Sequence, residues 1–185
     1  MGNKMKTTKM SIVVFGSAAV GKTALIHRYV TGKFIDRYDP TLDEALVHNP
    51  IVDNVICHLS IQDTCGTDQF ETVREMYVTQ SDGALIVFSA GQPTTFKDVQ
   101  TYYEVIKRFK AEKARVVVLV MNKIDLEVVV DEKEVESYAQ SINAKFVKAS
   151  AKDNTNVTES FEQCIRGVLE RKPPKNSSNG FCGIL

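Results

Sequence analysis

The chain has 185 residues, 43% of them apolar, and a formal net charge of zero. That is enough for one globular domain with a sizeable core, and a single domain is expected. The neutral balance argues against a protein built around a nucleic-acid backbone, which demands a strongly basic face, so no nucleic-acid partner is expected.

Residues 1–9 are polar and basic and are followed by nothing that suits a signal peptide. They read as a flexible extension of a domain that stays in the cytosol. Residues 12–15 form a short β-branched and aromatic run ending in a Gly-containing turn, and residues 23–30 read as a helix. Residues 51–53 and 55–61 flank an Asp53-Asn54 turn and predict an antiparallel hairpin whose first strand Pro50 marks as an edge. Three further apolar strands are predicted over residues 84–89, 116–121 and 145–149. Their apolar runs are far shorter than the roughly 20 residues that span a bilayer. Segments with helical periodicity lie between them. Residues 95–109 put Phe96, Val99, Tyr103 and Ile106 on one face, and Thr95 with Asp98 resembles a capping box. The last helix carries Val157, Phe161, Cys164 or Ile165, and Val168 on one stripe. These stripes read as core, and Cys57 and Cys164 as inert thiols within it. From Pro173 onward Pro, Asn, Ser and Gly dominate, as in a flexible tail. Strands alternating with helices predict an α/β three-layer sandwich: a six-stranded, mostly parallel sheet, one antiparallel edge strand and about five helices. The domain is expected over residues 10–172, with a tail over 173–185.

Gly16-Ser17-Ala18-Ala19-Val20-Gly21-Lys22-Thr23 matches GxxxxGKT between a predicted strand and a predicted helix, the context of a phosphate-binding P-loop. Small residues let successive backbone N–H groups turn inward around phosphates, and the helix N-terminus adds a favourable dipole. Lys22 supplies a point charge for the β- and γ-phosphates, and Thr23 offers a hydroxyl to Mg²⁺, which takes oxygen ligands. Asn122-Lys123-Ile124-Asp125 follows directly on a strand, at the carboxyl edge of the sheet where ligands bind. Asp125 can accept from both N1–H and the 2-amino group of guanine. Adenine lacks that pair of donors and would leave the carboxylate unpaired, which selects GTP over ATP. Asn122 can brace the loop and the base, and Ser150-Ala151-Lys152 can offer a backbone N–H to the guanine O6.

With these motifs in this order, the chain resembles a Ras-superfamily small GTPase of the P-loop NTPase fold. Tyr38-Asp39-Pro40-Thr41 is similar to the first switch of Ras and Rap proteins, and no room remains before Ser150 for the extra helix of Rho proteins. The resemblance implies a monomeric, guanine-nucleotide-dependent switch that binds GTP or GDP with Mg²⁺ and hydrolyses GTP. It further implies that Thr41 closes over the nucleotide and ligates Mg²⁺ beside Thr23, that Asp63 holds the metal through water, and that Phe34 lies against the guanine. Asp63-Thr64-Cys65-Gly66 resembles DxxG, with the Gly66 N–H on the γ-phosphate. Ala24, Tyr38, Pro40, Lys123 and Leu126 complete the implied nucleotide contacts. Residues Tyr38, Asp39, Pro40, Thr41, Leu42, Asp43, Glu44, Ala45 and Leu46 form the implied effector surface, its acidic part suited to a basic partner edge. An exchange factor and a GTPase-activating protein are the other partners implied.

Two residues depart from the family pattern. Thr67 follows Gly66 where most members have the glutamine that orients the attacking water, although Rap proteins share the Thr. Ala18 stands where Ras has glycine, and its methyl group can crowd an inserted arginine. The catalytic set is then Lys22, Thr41, Gly66 and Thr67, and the expectation is slow hydrolysis without an activating partner. The alternative is a nearly non-hydrolysing, GTP-loaded binding module. Arg37 reads as a solvated charge. Cys182-Gly183-Ile184-Leu185 fits CaaX, and the final Leu favours a geranylgeranyl group on Cys182, hence a lipid anchor on the cytoplasmic face of a membrane.

Overall fold

The structure, a computed structural model, describes residues 5–34, 44–66, 71–111 and 116–172. In chain order these form β1 (Lys6–Phe15), α1 (Lys22–Thr31), β2 (Glu44–His48), β3 (Ile51–Val52), β4 (Val55–Asp63), α2 (Glu71–Gln80) and β5 (Gly83–Ser89). Then come α3 (Pro93–Lys97), α4 (Val99–Phe109), β6 (Val117–Asn122), α5 (Glu132–Ser141), β7 (Lys145–Lys148) and α6 (Val157–Arg171). The sheet runs β2-β4-β1-β5-β6-β7, with the short β3 also on β4. β1 is parallel to β4 and β5, β6 is parallel to β5 and β7, and only β2 and β3 run antiparallel to their neighbour.

Alternation along β1 sorts its side chains between two cores. Ile12 and Val14 join Leu25 and Ile26 of α1 and Phe161 and Ile165 of α6 on one face. Val13 and Phe15 join Val78 of α2, Tyr102 and Ile106 of α4 and Val135 of α5 on the other. β5 and β6 are buried at every position, as parallel strands covered on both faces must be. The α/β three-layer architecture is therefore as expected. Cys57 and Cys164 lie in the first core, and burial pushes the Cys164 thiol up to about 12, which keeps it an unreactive thiol at neutral pH.

The Asp53-Asn54 hairpin is present, with φ of 49° and 61° at its two central residues, the left-handed pair that a two-residue type I′ turn requires. Three boundaries differ from expectation. β1 begins at Lys6 and not at residue 12, because Lys6 to Lys9 ladder onto Val55 to His58 of β4. The extension assigned to residues 1–9 thus loses four residues to the sheet. The antiparallel edge is split: β2 and β3 are separated by Asn49 and Pro50, and proline has no N–H for the ladder. The helix expected over residues 95–109 is divided into α3 and α4 at Asp98, and no capping box forms. The Thr95 hydroxyl instead donates to the Gln92 carbonyl at 2.7 Å and accepts from the Ser89 N–H at 3.0 Å. Asp98 makes no side-chain cap to α4, its carboxylate being turned to Ser17.

Candidate functional site

The carboxyl ends of β1, β4, β5 and β6 meet at one edge of the sheet, in register Val14 with Asp63, Phe15 with Ile86 and Ser89 with Asn122. The chain builds on one side of β1 through β4 and then on the other from β5, so this edge holds the topological switch point where α/β sheets bind ligands.

The loop from Gly16 to Thr23 leaves β1 here. Two of its glycines are compulsory. Gly16 has φ 145°, and a Cβ there would stand 2.1 Å from the Val87 carbonyl oxygen; at Gly21, with φ 94°, it would stand 2.5 Å from Asn122 Nδ2. Ala19 adopts φ 61° without glycine's freedom, a local strain of the kind that functional loops retain. Lys22 is 6% exposed and donates from Nζ to the Gly16 and Ser17 carbonyls at 2.8 and 3.0 Å, so its ammonium is pulled back over the loop. Ala18 and Ala19 are exposed. Gly66 lies against the same loop: a Cβ on it would come within 2.4 Å of the Ala18 nitrogen and 2.6 Å of the Ser17 carbonyl carbon.

Beside the cradle, the Thr23 hydroxyl donates to Asp63 Oδ2 at 2.6 Å, and Asp63 is 1% exposed at the end of β4. A hydroxyl and a carboxylate converging next to an anion cradle are the hard oxygen donors that Mg²⁺ takes, so these residues fit that ion.

The loops after β6 and β7 are tied to the cradle and to each other. Asn122, 1% exposed, donates from Nδ2 to the Val20 carbonyl at 3.0 Å, while its Oδ1 accepts from the Ala151 N–H at 3.2 Å. Lys123, at φ 65°, reaches the Ala19 carbonyl at 2.7 Å. Asp125 Oδ1 accepts from the buried Ser150 hydroxyl at 2.6 Å, and that hydroxyl accepts from the Asp153 N–H at 3.0 Å. The carboxylate is thereby aimed by the neighbouring loop. Ala24 and Phe34 are half-buried against the core below α1, Lys152 is exposed, and Leu126 is 54% exposed.

Thus Gly16 to Ala24, Phe34, Asp63, Gly66, Asn122, Lys123, Asp125 and Ser150 to Lys152 gather at one edge. Ala45 and Leu46 lie away from it on β2, paired with Gln62 and Ile61, on the outermost strand of the sheet. Tyr38, Asp39, Pro40, Thr41, Leu42, Asp43, Thr67 and Cys182 lie outside the described residues, as does Arg37. Sequence reasoning missed two contacts. Ser17 Oγ donates to Asp98 Oδ2 at 2.6 Å, and Arg28 binds the Ala151 and Lys152 carbonyls from α1. Nothing in a helical pattern announces the first. A basic residue in the last turn of α1 is the sole sequence signal for the second.

A model of the Ras family matches residues 11–170. The chain is also 36% identical, over 184 residues, to Ras-like protein 1 of Saccharomyces cerevisiae. That similarity takes in 96% of this chain but 58% of the yeast protein, so the chain spans less than two thirds of that relative's length. The family match runs from β1 through α6 and takes in the loop from Gly16 to Thr23, the Thr23–Asp63 pair and the loops after β6 and β7. The chain belongs to the Ras family of small GTPases.

Proposed function

We propose that the protein is a guanine-nucleotide switch that binds GTP or GDP with Mg²⁺ and hydrolyses GTP slowly. The observation that carries this reading is the Asn122 bridge. One side chain fastens the phosphate cradle, through Val20, to the base-side loops that carry Ala151 and the Ser150-anchored Asp125. In this reading Asp125 accepts from the guanine N1–H and 2-amino group, and a backbone N–H of the Ser150-Ala151-Lys152 segment serves O6. Lys22, preorganised over the loop, contacts the β- and γ-phosphates, and the Gly66 N–H meets the γ-phosphate. Thr23, Thr41 and, through water, Asp63 would hold Mg²⁺, which would supply charge neutralisation to the phosphates. Catalysis is electrostatic and positional, because Lys22 and the loop amides are fixed before reaction.

Thr67 is too short to hold both the water and the transferring group as a glutamine amide does, so intrinsic hydrolysis is slow. Thr67→Gln is expected to raise the single-turnover GTP hydrolysis rate, measured on preloaded protein with and without cell lysate. A wild-type rate that the variant does not exceed removes this account of Thr67. The second reading, a GTP-loaded module that barely hydrolyses, draws on Thr67 and on Ala18, whose amide packs against Gly66. It requires that wild type show almost no single-turnover hydrolysis, alone or with lysate. Nucleotide retained through purification is expected to be GDP or GTP; ATP or ADP would exclude the guanine reading.

Partners follow from the same reading. Residues 38–46, whose last three lie in the outermost strand β2, are the proposed effector surface, with Asp43 and Glu44 suiting it in sequence to a basic partner edge. An exchange factor and an activating protein set the nucleotide state. Cys182 carries a geranylgeranyl group that, with a second weak signal from nearby basic residues, holds the protein on the cytoplasmic face of a membrane. Cys182→Ser is expected to abolish that mass addition in intact-protein mass spectrometry and to move the protein to the soluble fraction.

A further inference from the structure

We infer that Arg28 is a positioning residue for the base pocket, a guanidinium clamp that fixes the Ala151–Lys152 segment and Phe34 together and so sets how long the nucleotide stays bound. The inference rests on the guanine-binding reading above and names a residue outside its contact set.

Four contacts converge on this one side chain. Nε donates to the Ala151 carbonyl at 2.8 Å, and one terminal nitrogen donates to the Lys152 carbonyl at 2.7 Å. The other terminal nitrogen donates to the Gly32 carbonyl at 2.8 Å, closing the end of α1. The guanidinium carbon lies 5.8 Å from the centroid of the Phe34 ring. Arg28 thus spends a planar fork of donors on three carbonyls from two chain segments while facing an aromatic ring, a geometry that a lysine point charge cannot reproduce. The Ala151 peptide is consequently gripped at both ends, its N–H by Asn122 Oδ1 and its carbonyl by Arg28. Phe34, the ring proposed to face guanine, is held by the same guanidinium.

The placement gives the clamp its consequence. α1 starts at Lys22 in the phosphate cradle and carries Arg28 in its last turn, about 9 Å further along at 1.5 Å per residue. One rigid helix therefore connects the phosphate side to the base side, and Arg28 is its contact with the latter. Because Lys22, Thr23, Asp63 and Gly66 lie at the other end, loss of the clamp frees the base without disturbing the groups around the γ-phosphate.

The test compares wild type with Arg28→Ala, Arg28→Gln and Arg28→Lys in the full chain. Release of a fluorescent GDP analogue is expected to accelerate by about 10- to 100-fold in all three, as loss of charge-assisted bonds predicts. Single-turnover GTP hydrolysis on preloaded protein is expected to stay within about twofold of wild type, since no group at the phosphate end is removed. Amide hydrogen exchange is expected to quicken in peptides covering residues 149–155 and to leave β1 and α6 unchanged. Unchanged GDP release, rescue by Arg28→Lys, or exchange that quickens throughout the protein would each overturn the clamp. Failure of the guanine reading has a separate signature: wild type itself would not retain GDP.

Discussion

Asn122→Ala is expected to release bound GDP on the order of 100-fold faster than wild type and to lower the thermal unfolding midpoint. The amide satisfies two main-chain groups that have little access to water, the Val20 carbonyl in the cradle and the Ala151 N–H beside the base. Stripping the partner from each leaves a buried polar group unpaired at about 1–3 kcal/mol apiece, and about 1.4 kcal/mol is tenfold in an equilibrium constant. The position is also hard to rescue. Asn122→Asp retains an acceptor for Ala151 but turns a second oxygen toward the Val20 carbonyl, 3.0 Å from the present nitrogen, so repulsion replaces a hydrogen bond. Both variants are expected to release nucleotide fast and to lose thermal stability, whereas an Arg28 variant keeps the cradle tied to β6 through Asn122 and loosens the base side alone. Stopped-flow release of a fluorescent GDP analogue, with unfolding monitored in parallel, checks this; slow release from Asn122→Ala would mean that the bridge does not hold the two halves together.

Asp125→Asn is expected to exchange the base preference, with GDP affinity falling by on the order of 10⁴ and xanthosine diphosphate bound in its place. The carboxylate offers acceptors only, the complement of guanine's N1–H and 2-amino donors. Xanthine presents a carbonyl oxygen where guanine has the amino group, and an amide can donate to it. Ser150 sharpens the expectation: its hydroxyl already donates to Oδ1, and it can go on doing so to the amide oxygen of asparagine, which leaves the new NH₂ as the group free to meet the base. Competition of GDP, xanthosine diphosphate and ADP against a fluorescent reporter reads the outcome. A variant that loses GDP without gaining the xanthine nucleotide would show that Asp125 supports the loop and does not read the base.

The sequence reveals most where one local cause decides the outcome. Gly16, Gly21 and the Asp53-Asn54 turn are legible because positive φ restricts which residues can stand there, and the apolar runs of β5 and β6 that precede Ser89 and Asn122 because burial on both faces demands them. It conceals what a partner strand or a distant side chain decides. Lys6 to Lys9 look like a polar extension, yet pairing with Val55 to His58 makes them strand. Thr95 and Asp98 match a capping box by spacing, but the hydroxyl is taken by Gln92 and Ser89 and the carboxylate by Ser17. α5 buries little beyond Val135 and Ala139, too weak an apolar stripe to define its ends. Within the site, each motif announces its own residues. Its external partners, Ser150 on Asp125 and Arg28 on Ala151, emerge only once the chain is folded.

The interruption of the outer strand at Asn49 and Pro50 bears on solubility. β2 and β3 form one margin of the sheet and β7 the other, and Val47 and Ile51 on the first are among the most exposed large apolar residues described. An unbroken edge of that kind is a template onto which identical copies stack without limit. Pro50 turns its carbonyl inward to the Cys57 N–H at 2.9 Å, so its missing N–H interrupts the ladder to β4 and leaves the margin as a five-residue and a two-residue strand. Short edge strands of this kind are one of the devices by which a sheet margin is kept from stacking on its copies.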